Sequence, residues 1–244
     1  MRIPILLMLA ALPAMAQQIP VGTAIPVMLR SDLNSGKDKA GEQIEGRVMQ
    51  QVALLDGGRI SKRARITGHV VSVTKKGASG STIVLKFEAI EDDKRTIPFS
   101  AAVLAIASMS AVAEAQSPIG PAPDRDPVTQ WRTRQVGGDV VDRGRGKVVS
   151  KGGIEGKWVE GSSIVSKLTP NPRAGCPEGL GYDQEQAVWV FSSAACGVYG
   201  MSDTKIVSSG AKPPLGKIEL QSSGNVNVRG GSGWLLITVG ELEQ

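Results

Sequence analysis

Between residues 19 and 103 apolar and polar positions alternate in short blocks separated by turn-forming residues, the pattern of half-buried β-strands. Residues 24–30 predict a first strand whose Pro26 has no N–H to give to a ladder, so it lies at an edge or turns its proline toward a free side. Residues 31–41 are polar and broken by Asn34, Gly36 and Gly41, and the extended pattern resumes over 43–55. Asp56-Gly57-Gly58 supplies a hairpin turn, where residues tolerant of positive φ are needed. Ile60, Ala64 and Ile66 lead into Gly68-His69-Val70-Val71-Ser72-Val73, a run rich in β-branched residues. After a turn at Lys75-Lys76-Gly77-Ala78-Ser79-Gly80, Ile83, Leu85, Phe87 and Ala89 alternate with Thr82, Val84, Lys86 and Glu88. Glu91-Asp92-Asp93-Lys94 turns the chain once more, and Ile97, Phe99 and Ala101 share one face. Strands this short, joined by hairpin-length turns, predict a compact antiparallel β-barrel or sandwich.

From Leu104 the alternation stops. Residues 104–115 are rich in Ala and Ser and suit one short helix, whereas 117–127 hold Pro118, Pro121, Pro123 and Pro127 and read as an extended spacer. Further on, residues 187–191 form the most hydrophobic strand candidate, and 217–220, 225–228 and 234–239 are short strands with Ser-Gly and Gly-Gly turns between them. The expected organisation is therefore all-β. A first β-domain over 17–103 is followed by a linker over 104–130 and a second small β-rich domain over 131–244.

Composition agrees with small β-units: of 244 residues 30 are Gly and only 4% are aromatic, which argues against a large helical core. Residues 1–16 have the shape of a cleavable export signal, with Arg2, a short apolar run and Ala14-Met15-Ala16 before Gln17. No cysteine follows that cleavage site, and no later stretch reaches the roughly 18 apolar residues of a membrane helix. The mature chain is thus expected outside the inner membrane, in the periplasm or beyond, with no integral membrane segment. Cys176 and Cys196 both lie in the expected second domain and suit a single bridge in an oxidising compartment, two unpaired thiols being the other reading. A bridge would close a loop of about 20 residues, worth roughly 3 kcal/mol.

The excess of 28 Lys and Arg over 23 Asp and Glu is small. Its densest stretch carries Arg132, Arg134, Arg143, Arg145 and Lys147, and Lys62, Arg63 and Arg65 form a second basic group. These are the candidate contacts for an anionic polysaccharide; for the first stretch a solvated hairpin face is the favoured reading, since Asp139 and Asp142 dilute it. With Trp131 as the only aromatic there, nothing specifies a nucleic acid. Catalytic groups are sparse. His69 is the only histidine, which excludes metal sites needing two, and no nucleophile elbow accompanies it. Ser72 with Lys75, Ser202 with Lys205 and Ser209 with Lys212 have S-x-x-K spacing but lack the partner motifs of penicillin-binding enzymes. The acidic pairs Asp92-Asp93 and Asp124-x-Asp126 fall in turns, where carboxylates are ordinary. No cofactor is expected.

One stretch resembles a known family. Ile19-Pro20-x-Gly22-Thr23-x-Ile25-Pro26-x-x-Leu29, a polar loop, Gly41-x-x-Ile44 through Val52, Gly58-x-Ile60 and Arg65-Ile66-x-Gly68 are similar to the C-terminal β-barrel domain of TrbI-like conjugal-transfer proteins, outer-channel scaffolds of type IV secretion machines. The resemblance covers about residues 19–103 and its motifs are structural. It implies a periplasmic, non-enzymatic barrel that binds an envelope protein or self-associates. The function expected is that of an exported structural or interaction protein of the cell envelope. A binding module for an anionic envelope polymer is the alternative, and a secreted hydrolase with carboxylates distant in sequence is a more remote one.

Overall fold

The computed structural model describes residues 19–54, 57–119, 131–144, 146–159, 163–177 and 184–240; the expected export signal lies outside these residues. The first half contains β1 (Ala24–Leu29), β2 (Leu33–Asn34), β3 (Gln43–Val48), β4 (Val52–Ala53), β5 (Arg59–Ile60), β6 (Arg65–Gly77), β7 (Gly80–Asp92), β8 (Arg95–Pro98) and β9 (Ala101–Ala107). One helix, α1 (Met109–Gln116), follows. Then come β10 (Trp131–Arg134), β11 (Val140–Gly144), β12 (Lys147–Ser150), β13 (Gly153–Val159), β14 (Ser163–Lys167) and β15 (Glu185–Ala187). The chain closes with β16 (Gly197–Tyr199), β17 (Thr204–Ser208), β18 (Ile218–Ser222), β19 (Asn227–Val228) and β20 (Gly233–Thr238). The all-β expectation holds.

The arrangement is nested, and this corrects the expected succession of two domains. A ten-stranded sheet runs β16-β9-β20-β1-β3-β6-β7-β18-β17, with β8 on β7. Its last strands in sequence, β18 and β20, sit inside the sheet, so the strands from Gly197 onward complete the unit begun at Ala24. Only β10 to β15 form the second, six-stranded antiparallel sheet. Hairpin turns reveal which neighbouring strands pair but not which distant strand fills an open edge; here β1 and the Ser81–Leu85 part of β7 would be edges without β20 and β18. The ten-stranded sheet curls until the Val103 N–H donates to the Ser209 carbonyl at 2.8 Å, which nearly closes it as a barrel. The expected linker begins late, since β9 continues to Ala107 and Ser108 then caps α1 by accepting from the Ala111 N–H at 3.1 Å.

Pro26 resolves in favour of a free side. β1 is an interior strand, and the Met49 N–H donates to the Pro26 carbonyl at 2.9 Å on the last rung shared with β3. The reciprocal donor that proline lacks falls where β3 leaves the ladder, so no rung is lost further along.

The barrel interior is filled by alternating residues of its strands, among them Ile25, Val27, Ile44, Ile66, Leu85, Phe87, Leu220 and Leu236, all at most 1% exposed. At its centre the Phe87 and Trp234 rings meet edge to face, with centroids 5.9 Å apart. β9 and β20 depart from alternation because both of their faces are covered. Trp234 and Leu236 belong to the interior cluster, while Leu235 and Ile237 join an outer one. On β9 the ladder passes from Ala105 opposite Leu235 to Val103 opposite Leu236, which leaves Leu104 as a bulge. Leu104 and Ala105 thereby both reach the outer cluster. The second sheet and its connections press on this wall through Val141, Val148, Ile164, Trp189 and Phe191. Small outward residues permit the approach: a Cβ on Gly233 would stand 2.8 Å from Val112 Cγ2 and 3.2 Å from Trp189 Cζ3.

Buried glutamines join the layers where backbone groups would otherwise lack partners. Gln50, 1% exposed, accepts from the Trp189 N–H at 2.9 Å and the Ile164 N–H at 3.3 Å, and donates to the Ile164 carbonyl at 2.8 Å. Gln186 accepts from the Ala24 N–H at 3.0 Å, and within the second layer Gln135 donates to the Phe191 carbonyl at 3.2 Å. These bonds explain a second departure from expectation: the hydrophobic run 187–191 is not one strand. β15 ends at Ala187 and a turn follows, with Trp189 at φ 50° and the Phe191 N–H donating to the Val188 carbonyl at 2.8 Å. The turn lets Trp189 and Phe191 both face the barrel wall, with ring centroids 6.5 Å apart.

Substituting Gln50→Leu keeps the side chain's bulk but strips partners from backbone groups of Ile164 and Trp189. We expect a loss of about 3 kcal/mol in urea unfolding, from one to three per stranded group less what local repacking recovers. A change below about 0.5 kcal/mol would show that the layers do not depend on this contact.

Candidate interaction site

A cleft lies where the ends of the ten-stranded sheet approach each other. Val103 and Leu104 of β9 form its floor, residues 204–208 of β17 one wall, and Cys196, Gly197 and Val198 at the start of β16 the other. Its volume is about 510 Å³. The Cys176–Cys196 disulfide borders it, its ends separated by 20 positions in sequence, so the bridge predicted from the sequence is present. The corner is held by more than the bridge. The Tyr199 hydroxyl accepts from the Cys196 N–H at 3.0 Å and donates to the Cys196 carbonyl at 2.9 Å. Arg173 donates to the same carbonyl, and its guanidinium carbon lies 5.8 Å from the centroid of the Tyr199 ring. β17 leaves this corner by a tight turn, pairs with β18, and carries a register break between Ile206 and Ser208.

The basic residues singled out from the sequence do not converge on this cleft. Lys62 and Arg63 lie in the turn before β6, where Arg63 takes φ 81° and its N–H donates to the Val48 carbonyl at 2.8 Å. Arg65 bridges two carboxylates on neighbouring strands, Glu91 at 2.9 Å and Glu45. Its guanidinium holds the Glu45 carboxyl below the usual carboxylate range. Arg132 meets Asp142 at 3.2 Å and Arg134 meets Glu114 at 3.3 Å. Lys147 is exposed on β12, and Arg145 lies outside the described residues.

Arg143 is the exception. It is 7% exposed, shares its side of β11 with Val141, and stacks on Trp158 at 5.5 Å from the ring centroid. Its Nε and Nη2 have no hydrogen-bond partner among the described residues. Burial pushes its guanidinium down to about 10. It remains charged at neutral pH, so it is a cation held against apolar surface rather than a surface contact.

Groups suited to catalysis stay apart. His69 Nδ1 lies 3.0 Å from a Glu88 carboxylate oxygen on the adjoining strand. Buried Asp92 receives Arg95 at 2.7 Å and the Ser61 N–H at 3.1 Å, a cation and an amide rather than a second carboxylate. Ser72 lies within β6 and Lys75 three positions on, which in a strand puts them on opposite faces. No group of three or more His, Cys, Asp or Glu side chains suited to a metal occurs among the described residues, and no described helix is long and apolar enough to cross a membrane. What the sequence reading missed is the cleft itself. Its walls come from β9, β16 and β17, and only the strand order brings them together.

Two stability changes follow. Replacing Arg143→Met removes a buried charge that no carboxylate among the described residues pairs, while keeping a flexible chain against Trp158, and we expect a gain of about 1–3 kcal/mol at pH 7. Because the unfolded chain holds this proton more tightly, the native state carries the penalty below pH 10. The advantage of the variant should be constant up to that pH and shrink above it, as paired urea titrations would reveal. Cys176→Ser with Cys196→Ser should lose about 3 kcal/mol through the freed loop, measured by urea unfolding of the variant against the oxidised protein.

Comparison with known proteins leaves this geometry to speak for itself: no family model, no curated protein and no solved structure matches the chain, so the TrbI-like resemblance rests on its sequence residues alone.

Proposed function

We propose that the chain is an exported, non-enzymatic structural or interaction protein of the bacterial periplasm or cell surface, working through protein contacts made by its barrel. The observation that carries this reading is the seam: a sheet curled into a packed barrel leaves the free sides of two strands beside an open cleft. The filled interior adds to it, because Phe87, Trp234 and their neighbours occupy the space in which larger barrels hold a ligand. The disulfide suits an oxidising compartment. A scaffold role like that of TrbI-like proteins is one form of this reading. The polymer-binding alternative has less behind it, since Arg65, Arg132 and Arg134 already face carboxylates and Arg143 is buried.

The test is expression of the full chain in a Gram-negative host, followed by fractionation and intact mass. The expected product starts at Gln17, lies outside the cytoplasm and has no thiol reactive to alkylation. Photo-cross-linking in the envelope should yield discrete protein adducts. Retention in the cytoplasm with reactive Cys176 and Cys196, or an exported protein giving no protein adduct from any face, would remove the reading.

A further inference from the structure

Main-chain groups are left without a strand where the ends of the barrel sheet approach. β17 pairs with β18 on one side, and among the described residues no strand pairs its other side. β16 likewise pairs with β9 alone, in parallel over Gly197 to Tyr199. Ser209 accepts from the Val103 N–H at 2.8 Å across the gap, and residues 204–208 of β17 line the cleft beside that bond. Its volume of about 510 Å³ falls within the range of small-ligand sites. Among the described residues, the charged side chains lining it are Lys205 and Lys212, and no described carboxylate lines it. Val207, between them in sequence, is 51% exposed at the register break of β17.

We propose that this cleft is a strand-addition site, in which an extended acidic segment of a partner protein pairs with the free side of β17 and sets its carboxylates against Lys205 and Lys212. The inference rests on the reading of the chain as a protein-contact module. Unpaired N–H and C=O groups of an edge strand bind any extended chain, and side chains at alternate positions choose which one. Here the choosing groups are two cations with no competing anion among the described lining residues, which favours carboxylates through charge-assisted hydrogen bonds. The same features oppose a second copy as occupant. Lysine and a bulge on an edge strand are devices against self-pairing, and a copy of β17 would bring another Lys205 into a cleft already cationic.

The experiment selects a displayed library of random linear peptides on the full, oxidised mature chain, then measures the selected peptides by fluorescence anisotropy. Expected are sequences in which Asp or Glu alternates with β-branched residues, with binding that weakens as salt rises. Lys205→Glu with Lys212→Glu should weaken those peptides at least tenfold, and selection on that variant should turn to basic peptides. Since the reversal is read as a gain for basic peptides, an unfolded variant cannot imitate it. Lys147→Glu, on the second sheet, should leave binding unchanged. No selected peptides, a selection without acidic bias, or equal binding to the reversed variant would overturn the proposal. So would a dimer whose β17 amides are protected from hydrogen exchange, which would assign the edge to a second copy. Envelope adducts mapping to another face, with no peptide selected, would sink this site alone. Failure of export would sink the broader reading and leave the peptide result standing.

Discussion

β9 and β20 lie side by side with water on neither face, and most of the architecture answers to that arrangement. Each supplies apolar side chains to the barrel interior and to the layer outside it, so both must be hydrophobic at nearly every position and each must be covered twice. The interior is covered by the other barrel strands. The exterior is covered by β10 to β15 and the turn that presents Trp189 and Phe191. Remove the second sheet and Leu104, Leu235 and Ile237 face water; remove β20 and β1 and β9 become open edges. Hydrophobic burial on this wall is thus what couples the inserted sheet to the barrel.

Such a two-sided wall leaves backbone polar groups far from solvent, and the chain meets that cost with amides rather than charges. Gln50 and Gln186 satisfy backbone groups across the junction, and Gln135 does so within the outer layer, without the desolvation penalty of an ion. Several charges on the outer surfaces are matched there: Arg65 between Glu45 and Glu91, Arg132 with Asp142, Lys157 with Glu185, while buried Asp92 receives Arg95. Exposed pairs of this kind add little stability, but they occupy cations that would otherwise present a basic face. Arg143 breaks the rule, buried beside Trp158 with two nitrogens unpartnered among the described residues.

The same curling that buries the wall creates the seam. A sheet wound nearly shut must either pair its last strands or leave them facing a gap, and here the short parallel β16 and the bulged β17 do not pair with each other. Tyr199, Arg173 and the disulfide hold the neighbouring corner rigid, so the gap is a built shape. Rigid corners beside unpaired edges are suited to recognition because little ordering is needed when a partner arrives.

Local chemistry was legible in the residues themselves. Alternation at Ile83, Leu85 and Phe87, the constraint of Pro26 and the suitability of Cys176 and Cys196 for a bridge depend on near neighbours or on residue type, and each survives in the structure; the turn expected over Lys75 to Gly80 survives only at Ala78 and Ser79, because β6 runs on to Gly77 and β7 starts at Gly80. Continuous apolar runs were ambiguous for a physical reason. Residues 187–191 and 233–238 look alike as strings, yet one turns at Trp189 and the other is a strand buried on both sides, because backbone partners such as Gln50 come from far along the chain. Distant pairing decided the rest. That β18 and β20 return to flank β7 and β1, that six intervening strands form a separate layer, and that Lys205 and Lys212 line one cleft all follow from long-range burial and edge satisfaction. Residue order alone carries no measure of these, since they arise only when the whole wall is assembled.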